Sequence, residues 1–480
     1  MAFAIYHAQA VKYHIIKSLM GAEVIMSEYT VEPERKIPVV MKGEVVIIGG
    51  GPAGVGAALG AARNGADTVL IERFGTLGGE IVVGFMNVGV LRGKGLNQEI
   101  FARLERLGYA SHYKDVYSGA YDNLLTHLGQ TKLFGGEFRF TREDESMILN
   151  SEMAQCIIND MMEENGIKLL LNTMFVDTLV GNGTIKAVIV ENVSGRQAIQ
   201  GKIYVDATAT AAVAVKSGVP YTQRSDEQGL LPQVMGLQCK ASGVDFKTLY
   251  EYQKEDPLLD KAMEKAMVGG ELPSLYKPKR SYSYGTDGLY TGHPRLEMGP
   301  GQFPGEMLLW IHAPYEENLR VEKAEDVTRA EIQCRKLLVQ EMTFLRKYVP
   351  GFEKAYISGI PPYVGTRESR HPEGEYIFDY PQDVGRKFDD AVYVQRRGDR
   401  EQYLPYRCLL PKKIDNLLLA GHSIAANHRV GTFSSFGGAM DTGQVAGTAA
   451  ALSVKNKVDP KKLKYPLLKA ALIEQGLLTQ

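Results

Sequence analysis

The stretch Glu44-Val45-Val46-Ile47-Ile48-Gly49-Gly50-Gly51-Pro52-Ala53-Gly54 changes its period halfway along. Its first half is a short run of β-branched residues bounded by glycine, the pattern of a buried parallel strand. Beyond Gly51, the residues Val55, Ala58, Leu59 and Ala62 recur at helical spacing, and Asn64-Gly65 stops the helix. Thr68-Val69-Leu70-Ile71-Glu72 is a second buried strand, which completes one βαβ unit. The glycines fall at Gly49, Gly51 and Gly54. In this pattern the first permits the tight turn, the second lets a pyrophosphate approach the backbone, and the third lets the helix pack on the strand. Pro52 and Ala53 open the helix, whose N–H groups and positive dipole end suit phosphate. Glu72, followed by Arg73, ends the second strand, where a carboxylate accepts hydrogen bonds from ribose hydroxyls. The acid disfavours a 2′-phosphate, so the expected ligand is FAD or NAD rather than NADP.

Outward from this unit the pattern varies. Residues 37–43 read as a connector, preceded by an N-terminal extension over residues 1–37. Residues 95–165 are mostly helical in pattern, most clearly around Asp144–Glu164. Phe175–Val180 and Ile185–Val190 flank Gly181-Asn182-Gly183 and predict a hairpin. Val193-Ser194-Gly195 then turns into another strand ending near Val205. Residues 221–320 look irregular and rich in Gly, Pro and Tyr. Thr328-x-x-Glu331 has the form of a capping box, with Cys334, Leu338, Met342 and Leu345 on one face of the helix that follows. Val349-Pro350-Gly351 ends that helix. Asn416–Ala420 is a late buried strand, and Gly437-Gly438 opens a helix of small residues through Gly447.

Composition narrows the function classes. Lys and Arg total 55 against 56 Asp and Glu, a balance that gives no support to a nucleic-acid partner. Cys156, Cys239, Cys334 and Cys408 lie far apart, form no C-x-x-C pair and read as reduced thiols. No segment has the length and apolarity of a membrane span, and no clean signal precedes a cleavage site. The expectation is a cytoplasmic enzyme with a small-molecule substrate, a symmetric homo-oligomer being the common default, with no metal ligand cluster.

A second glycine loop, Gly75, Gly78 and Gly79, directly follows Glu72 and favours FAD over NAD. Val45–Gly79 resembles the flavoprotein class with the glutathione-reductase-type FAD domain. Further motifs narrow the resemblance to the FAD-dependent oxidoreductase family with a Leu-Gly-Gly loop and an Arg-Glu-Ser-Arg segment. They are Leu77-Gly78-Gly79, Gly365-Thr366-Arg367-Glu368-Ser369-Arg370, Pro405-Tyr406-Arg407-Cys408-Leu409-Leu410-Pro411, Asn416–Gly421, His428 and Gly443–Ala450. The resemblance implies an α/β fold: a Rossmann-like FAD domain over residues 38–220 and 400–455, with an inserted α+β substrate domain over 221–399. That inserted domain is expected to have its own sheet, and residues 456–480 form a C-terminal segment. It also implies that Gly49, Gly51, Gly54 and Glu72 hold the ADP half, that Gly78 and Gly79 lie beside the ribityl chain, and that Val176 meets adenine through its backbone. Asp206-Ala207-Thr208 would return to the FAD, while Gly421 and Gly438 would approach the flavin. The chain departs from the family at Ala209-Thr210, where Gly and an acid are usual, at His422, where Arg is usual, and at His371-Pro372.

The candidate catalytic residues are His428, His422, Arg429, Arg367 and Arg370. Guanidinium binds carboxylate bidentately and stabilises developing negative charge; imidazole moves a proton near neutral pH. The competing reading is structural, with the arginines bridging acids and the histidines packed or solvent-facing. The family implies hydride transfer between a small organic substrate and flavin N5, with the electron acceptor open. Two alternatives stand beside it: a flavin monooxygenase using NAD(P)H and oxygen, and a non-catalytic flavin-bound electron-transfer or scaffold subunit.

Overall fold

The computed structural model describes residues 32, 34–85, 95–112, 147–223, 235–256, 259–269, 281–284, 288–291, 297–301, 303–313, 319–366, 369–380, 382–397, 400–427, 433 and 435–478. Contacts separate Met1–Pro38 from Val39–Gln480, and every element below belongs to the second unit. In chain order it opens with β1 (Val39–Lys42), β2 (Val45–Ile48), α1 (Pro52–Arg63) and β3 (Thr68–Ile71). Next come α2 (Leu96–Arg106), β4 (Ala110–His112), β5 (Met147–Leu149), α3 (Ser151–Glu164) and β6 (Lys168–Leu170). Then follow β7 (Met174–Gly181), β8 (Thr184–Asn192), β9 (Gly195–Gln200), β10 (Ile203–Asp206) and α4 (Ala212–Lys216).

β2 is the middle strand of a five-stranded sheet ordered β21-β10-β2-β3-β6, where β21 is Leu417–Leu419. All its pairs are parallel. Side chains alternate across it. Val45, Ile47, Leu70, Val205 and Leu418 face a core shared with the helices. Val46, Ile48, Val69, Ile71, Tyr204 and Leu417 face a second core, built with Ile185, Val188, Val190 and Ile199. Burial on both faces explains the near-continuous apolar runs, each fully buried side chain contributing about 1.5–3 kcal/mol. Those four partners belong to the sheet ordered β1-β9-β8-β7. Its hairpin turns through Asn182 and Gly183, both left-handed (φ +52° and +69°), with Gly181 opposite Thr184.

Several expectations are corrected. The 37–43 connector contains β1, which pairs parallel with β9. The single strand expected up to Val205 is two: β9 in the outer sheet and β10 in the parallel one. The chain breaks at Gly201, whose N–H donates to the Tyr204 hydroxyl at 2.8 Å, and a side chain there would meet Val46 at 2.6 Å. The helix near Asp144–Glu164 starts at Ser151, with Asn150 accepting from the Met153 N–H at 2.8 Å; its expected earlier part lies partly outside the described residues. Among residues 221–320, β12 (Gly236–Ser242), β15 (Glu297–Pro300) and β16 (Met307–His312) join β17 (Tyr356–Gly359) in an antiparallel sheet, ordered β15-β16-β12-β17. Preceding β15 is the hairpin of β13 (Ser281–Tyr284) and β14 (Gly288–Thr291), with α5 (Phe246–Glu255) and α6 (Asp260–Val268) before it. This sheet has a core of its own, from Met235 to Val364, into which Cys334, Leu338, Met342 and Leu345 point as expected.

Those four residues lie on α7 (Ala324–Tyr348), which begins one turn before the expected capping box. Glu325 and Asp326 occupy its first turn, where acids favour a helix start. Thr328 is therefore interior, its hydroxyl donating to Ala324 O at 2.8 Å, and Glu331 instead accepts from the Val364 N–H at 2.7 Å.

The last helices are α8 (Phe436–Asn456) and α9 (Tyr465–Glu474). α8 lies on α1 through a seam of glycines. A β-carbon on Gly56 would meet Met440 O at 2.1 Å, and one on Gly60 would meet Gln444 O at 2.6 Å. On the other side, Gly443 and Gly447 would collide with Ala53 O and Ala57 O at 2.0 and 1.9 Å. Backbone meets backbone here, so the seam tolerates no larger residue without separating the helices. No helix among the described residues is long and apolar enough to cross a membrane.

Candidate functional site

The parallel strands end at one edge, where the loops after β2, β3, β10 and β21 converge. Gly49 follows β2 with φ +101° and donates to Ile71 O at 2.9 Å. Its missing side chain is replaced by backbone: a β-carbon would meet Ala207 O at 2.4 Å and Thr208 Cα at 3.1 Å. Gly54 is tighter still, 1.7 Å from Gly49 O. Gly51 is the opposite case, because a β-carbon there would meet nothing within 4 Å. Its backbone is extended, α1 begins at Pro52, and that helix start carries no side-chain cap and no acid in its first turn. Gly49 and Gly54 thus serve packing, whereas Gly51 and Ala53 border an open, electropositive helix end.

Glu72 follows β3 and is nearly fully buried. One carboxylate oxygen accepts from the Gly50 N–H at 2.5 Å and the other from the Phe74 N–H at 2.9 Å. Burial pushes its pKa up, opposed by these backbone N–H groups and by Arg73. Two of about four acceptor positions are used, which leaves capacity for hydroxyl donors. Gly50 was not anticipated as a site residue. It is wedged against Glu72 Cβ and the Leu77 side chain, at 2.9 and 2.5 Å from where its β-carbon would be. Arg73 lies over the Phe74 ring at 4.6 Å, and Phe74 stacks on Tyr363 at the same separation. Burial, with Glu80 hydrogen-bonded beside it, holds the Tyr363 hydroxyl well above its ordinary pKa.

The second glycine loop braces the first. Gly78 donates to Gly50 O at 2.8 Å, and Gly79 would touch Gly51 Cα at 2.9 Å if it carried a side chain. Both are left-handed, at φ +96° and +49°. Val176 lies on β7, where the pairing register passes from Phe175 to Asp177 and skips it as a bulge. The start of β7 is beside Glu72, since Thr173 N–H donates to Glu72 O at 2.9 Å.

β10 delivers Asp206, fully buried, into a different task. One of its oxygens accepts from the Thr208 N–H (3.0 Å) and hydroxyl (2.7 Å), and from the Ser423 hydroxyl (3.4 Å). The other accepts from the Ala214 N–H at 2.9 Å, at the start of α4. Burial raises its pKa against these bonds. Ser423 stands next to half-buried His422 and Gly421, so the two departures from the family pattern, Ala209-Thr210 and His422, share one junction. Gly421 (φ +60°) packs on Ala53, where a β-carbon would come within 2.7 Å, and donates to the Thr442 hydroxyl at 3.2 Å. Gly438 N–H donates to Ser435, the cap of α8, at 3.3 Å. Asn97, unanticipated, ties α2 to that helix start through Gly437 O at 3.2 Å and Asp441 at 2.7 Å.

Arg370, on the short strand β18 (Arg370–Pro372), donates through Nε to Thr210 O at 2.9 Å. It therefore reaches the loop after β10. Arg367, His428 and Arg429 lie outside the described residues. The structure thus brings Gly49, Gly51, Pro52, Ala53, Gly54, Glu72, Gly78, Gly79, Ala207, Thr208 and Gly421 to one sheet edge. The glycine seam was missed in α1, though Gly56-x-x-x-Gly60 repeats the four-residue spacing of Gly443-x-x-x-Gly447 and is legible once looked for. Among the described residues no group of three or more His, Cys, Asp or Glu could hold a metal ion.

The chain is 22% identical over 191 residues to an NADH oxidase of Thermoanaerobacter brockii, covering 34% of this chain and 28% of that protein. It is 48% identical over 56 residues to a dihydrolipoyl dehydrogenase of Vibrio cholerae serotype O1, covering 12% and 11%. The chain thus spans less than a third of the length of these curated relatives. Among solved structures it is similar to a geranylgeranyl bacteriochlorophyll reductase-like protein of Thermoplasma acidophilum, with TM-score 0.44, 12% identity, and 91% and 84% of the two chains covered. It is also similar to a p-nitrophenol 4-monooxygenase of Pseudomonas putida, with TM-score 0.45, 12% identity, and 91% and 85% covered. The family profile for FAD dependent oxidoreductase matches residues 44–472, most of the chain, and the protein belongs to that family.

Proposed function

We propose that the protein catalyses two-electron oxidation or reduction of a small organic substrate, with FAD held at the edge formed by the loops after β2, β3 and β10. The observation that carries this reading is Gly51: the one fingerprint glycine with open space at its β-carbon position, at an uncapped helix start free of acids. A dinucleotide fits there. Its pyrophosphate would face Gly51 and Ala53, with Gly78-Gly79 closing one side, and Glu72 would accept from the ribose. Val176, at its bulge, would offer backbone groups to adenine. Gly421 and the α8 start at Gly438 would lie along the flavin. In the proposed division, a glutathione-reductase-type FAD domain spans 38–220 and 400–455, and the inserted α+β substrate domain spans 221–399.

When bound, FAD supplies two-electron chemistry at flavin N5. The chain's own residues orient the substrate and handle charge and protons. We assign proton transfer to His422 and His428, because imidazole as a side chain can take up and return a proton near neutral pH. Positive charge comes from Arg367 and Arg429, which would steady an anionic substrate or product. The α8 start would place its dipole toward the flavin's pyrimidine edge.

The first test is the absorption spectrum of the purified full chain, before and after acid precipitation. Flavin bands that leave with the supernatant and have the mass of FAD are expected, followed by bleaching with a substrate under anaerobic conditions. A protein that is colourless and cannot be reconstituted with FAD would overturn the reading.

A further inference from the structure

The loop from Ala207 to Ala211 holds two alanines in the left-handed region, Ala209 at φ +62° and Ala211 at φ +52°. A β-carbon there crowds the following carbonyl, so the loop does not hold this shape by local preference. Several hydrogen bonds hold it, among them Ala207 N–H to Ile48 O and Ala212 N–H to the Thr208 hydroxyl, both at 2.9 Å. Thr208 is bound to Asp206 through its N–H and its hydroxyl, at 3.0 and 2.7 Å. Ala211 N–H donates to the Ser423 hydroxyl at 3.3 Å. Thr210 O, between the two strained residues, accepts from Arg370 Nε at 2.9 Å. Of these, Arg370 alone comes from outside the parallel sheet's own loops: β18 pairs with β11 (Tyr221–Gln223), and the neighbouring Ser369 hydroxyl donates to Glu322 at 2.5 Å, just ahead of α7. The near end of the loop is the wall of the phosphate loop, with Ala207 O 2.4 Å from the β-carbon position of Gly49.

We infer that Arg370 is a positioning residue for the cofactor: by holding Thr210 it keeps a strained loop pressed against Gly49 and so sets the affinity for the dinucleotide. This rests on the reading that the Gly49–Gly54 loop binds FAD. Without the guanidinium, Ala209 and Ala211 would relax toward ordinary backbone angles, and the Ala207 carbonyl would leave Gly49. Replacing both alanines with glycine removes the strain, so the loop would keep its place with less help.

The test is FAD titration of the full-length apoprotein, followed by flavin fluorescence. Arg370→Met is expected to raise the Kd about tenfold, equivalent to ~1.4 kcal/mol. Adding Ala209→Gly and Ala211→Gly to that variant should recover most of the loss. Arg370→Gln is the second variant should the methionine not fold, and the same loss and recovery are required of it. Gly51→Val is the control for the underlying reading and should abolish binding. A loss with Gly51→Val but none with the Arg370 variants overturns the inference alone. A loss that the glycines do not recover overturns it as well, because strain then has no part. Unchanged binding in Gly51→Val overturns the reading beneath it.

Discussion

Two loops leave neighbouring strands of the same sheet edge and meet at Gly49. The one after β2 places glycine at its left-handed position, Gly49 at φ +101°; the one after β10 places alanine there, Ala209 at φ +62°. The first is held by shape, because backbone fills the space where Gly49 and Gly54 would carry a β-carbon. The second is held by hydrogen bonds, with Asp206, Ser423 and Arg370 fastening residues that would otherwise relax. A loop of glycines is therefore intolerant of added atoms, whereas a loop of strapped alanines is intolerant of lost bonds.

The largest expected effect comes from violating the shape rule. Gly54→Ala would put a β-carbon 1.7 Å from Gly49 O, and we expect a loss of roughly 4 kcal/mol in apoprotein stability. Gly51→Ala, with open space and an extended backbone, should leave apoprotein stability within about 0.5 kcal/mol while lowering flavin content. Urea denaturation of both apoproteins, with flavin counted spectrophotometrically, checks the pair; equal destabilisation would erase the distinction between packing and binding glycines. Next is the bond rule. Asp206→Asn leaves one acceptor oxygen where a carboxylate served four donors, and about 3 kcal/mol should be lost. A denaturation midpoint like that of the parent would show that the straps are dispensable.

Smaller effects sharpen the contrast. Ala209→Gly should raise stability by about 0.5–1 kcal/mol, the strain relieved less the entropy glycine adds to the unfolded chain. A decrease would mean the left-handed angle carries no strain. The last effect is a slope. Burial raises Glu72 above its unfolded pKa of 4.5, so its contribution is fully present below that value and is lost as pH rises through the folded one. Apoprotein urea midpoints from about pH 4 to 8 should therefore fall less steeply in Glu72→Gln than in the parent. Parallel slopes would remove burial of Glu72 as their cause.

The contrast also explains what the sequence reveals. The βαβ unit, the Asn182-Gly183 hairpin and the buried face of α7 were legible because period and turn chemistry are local. The family motifs made the cofactor legible, and the match over residues 44–472 agrees. The role of Arg370 was not legible, because its partner is a backbone carbonyl 160 residues away and a carbonyl has no letter. The start of α7 was misplaced because Thr328-x-x-Glu331 has the form of a capping box, whereas the helix begins after Lys323 without a side-chain cap and with Glu325 and Asp326 in its first turn. The break between β9 and β10 was hidden because the kink needs no more than Gly201 and the Tyr204 hydroxyl.

The glycine seam bears on the order in which the molecule can assemble. Helix α1 is synthesised well before its partner α8: Asn64 and Thr448, which touch across the two helices, are 384 residues apart. Until synthesis passes Gly447, the phosphate loop has no second helix to hold its own helix in place. Nascent chains truncated before α8 should therefore bind no flavin and offer α1 to chaperones, and the cofactor should enter only once α8 has been made.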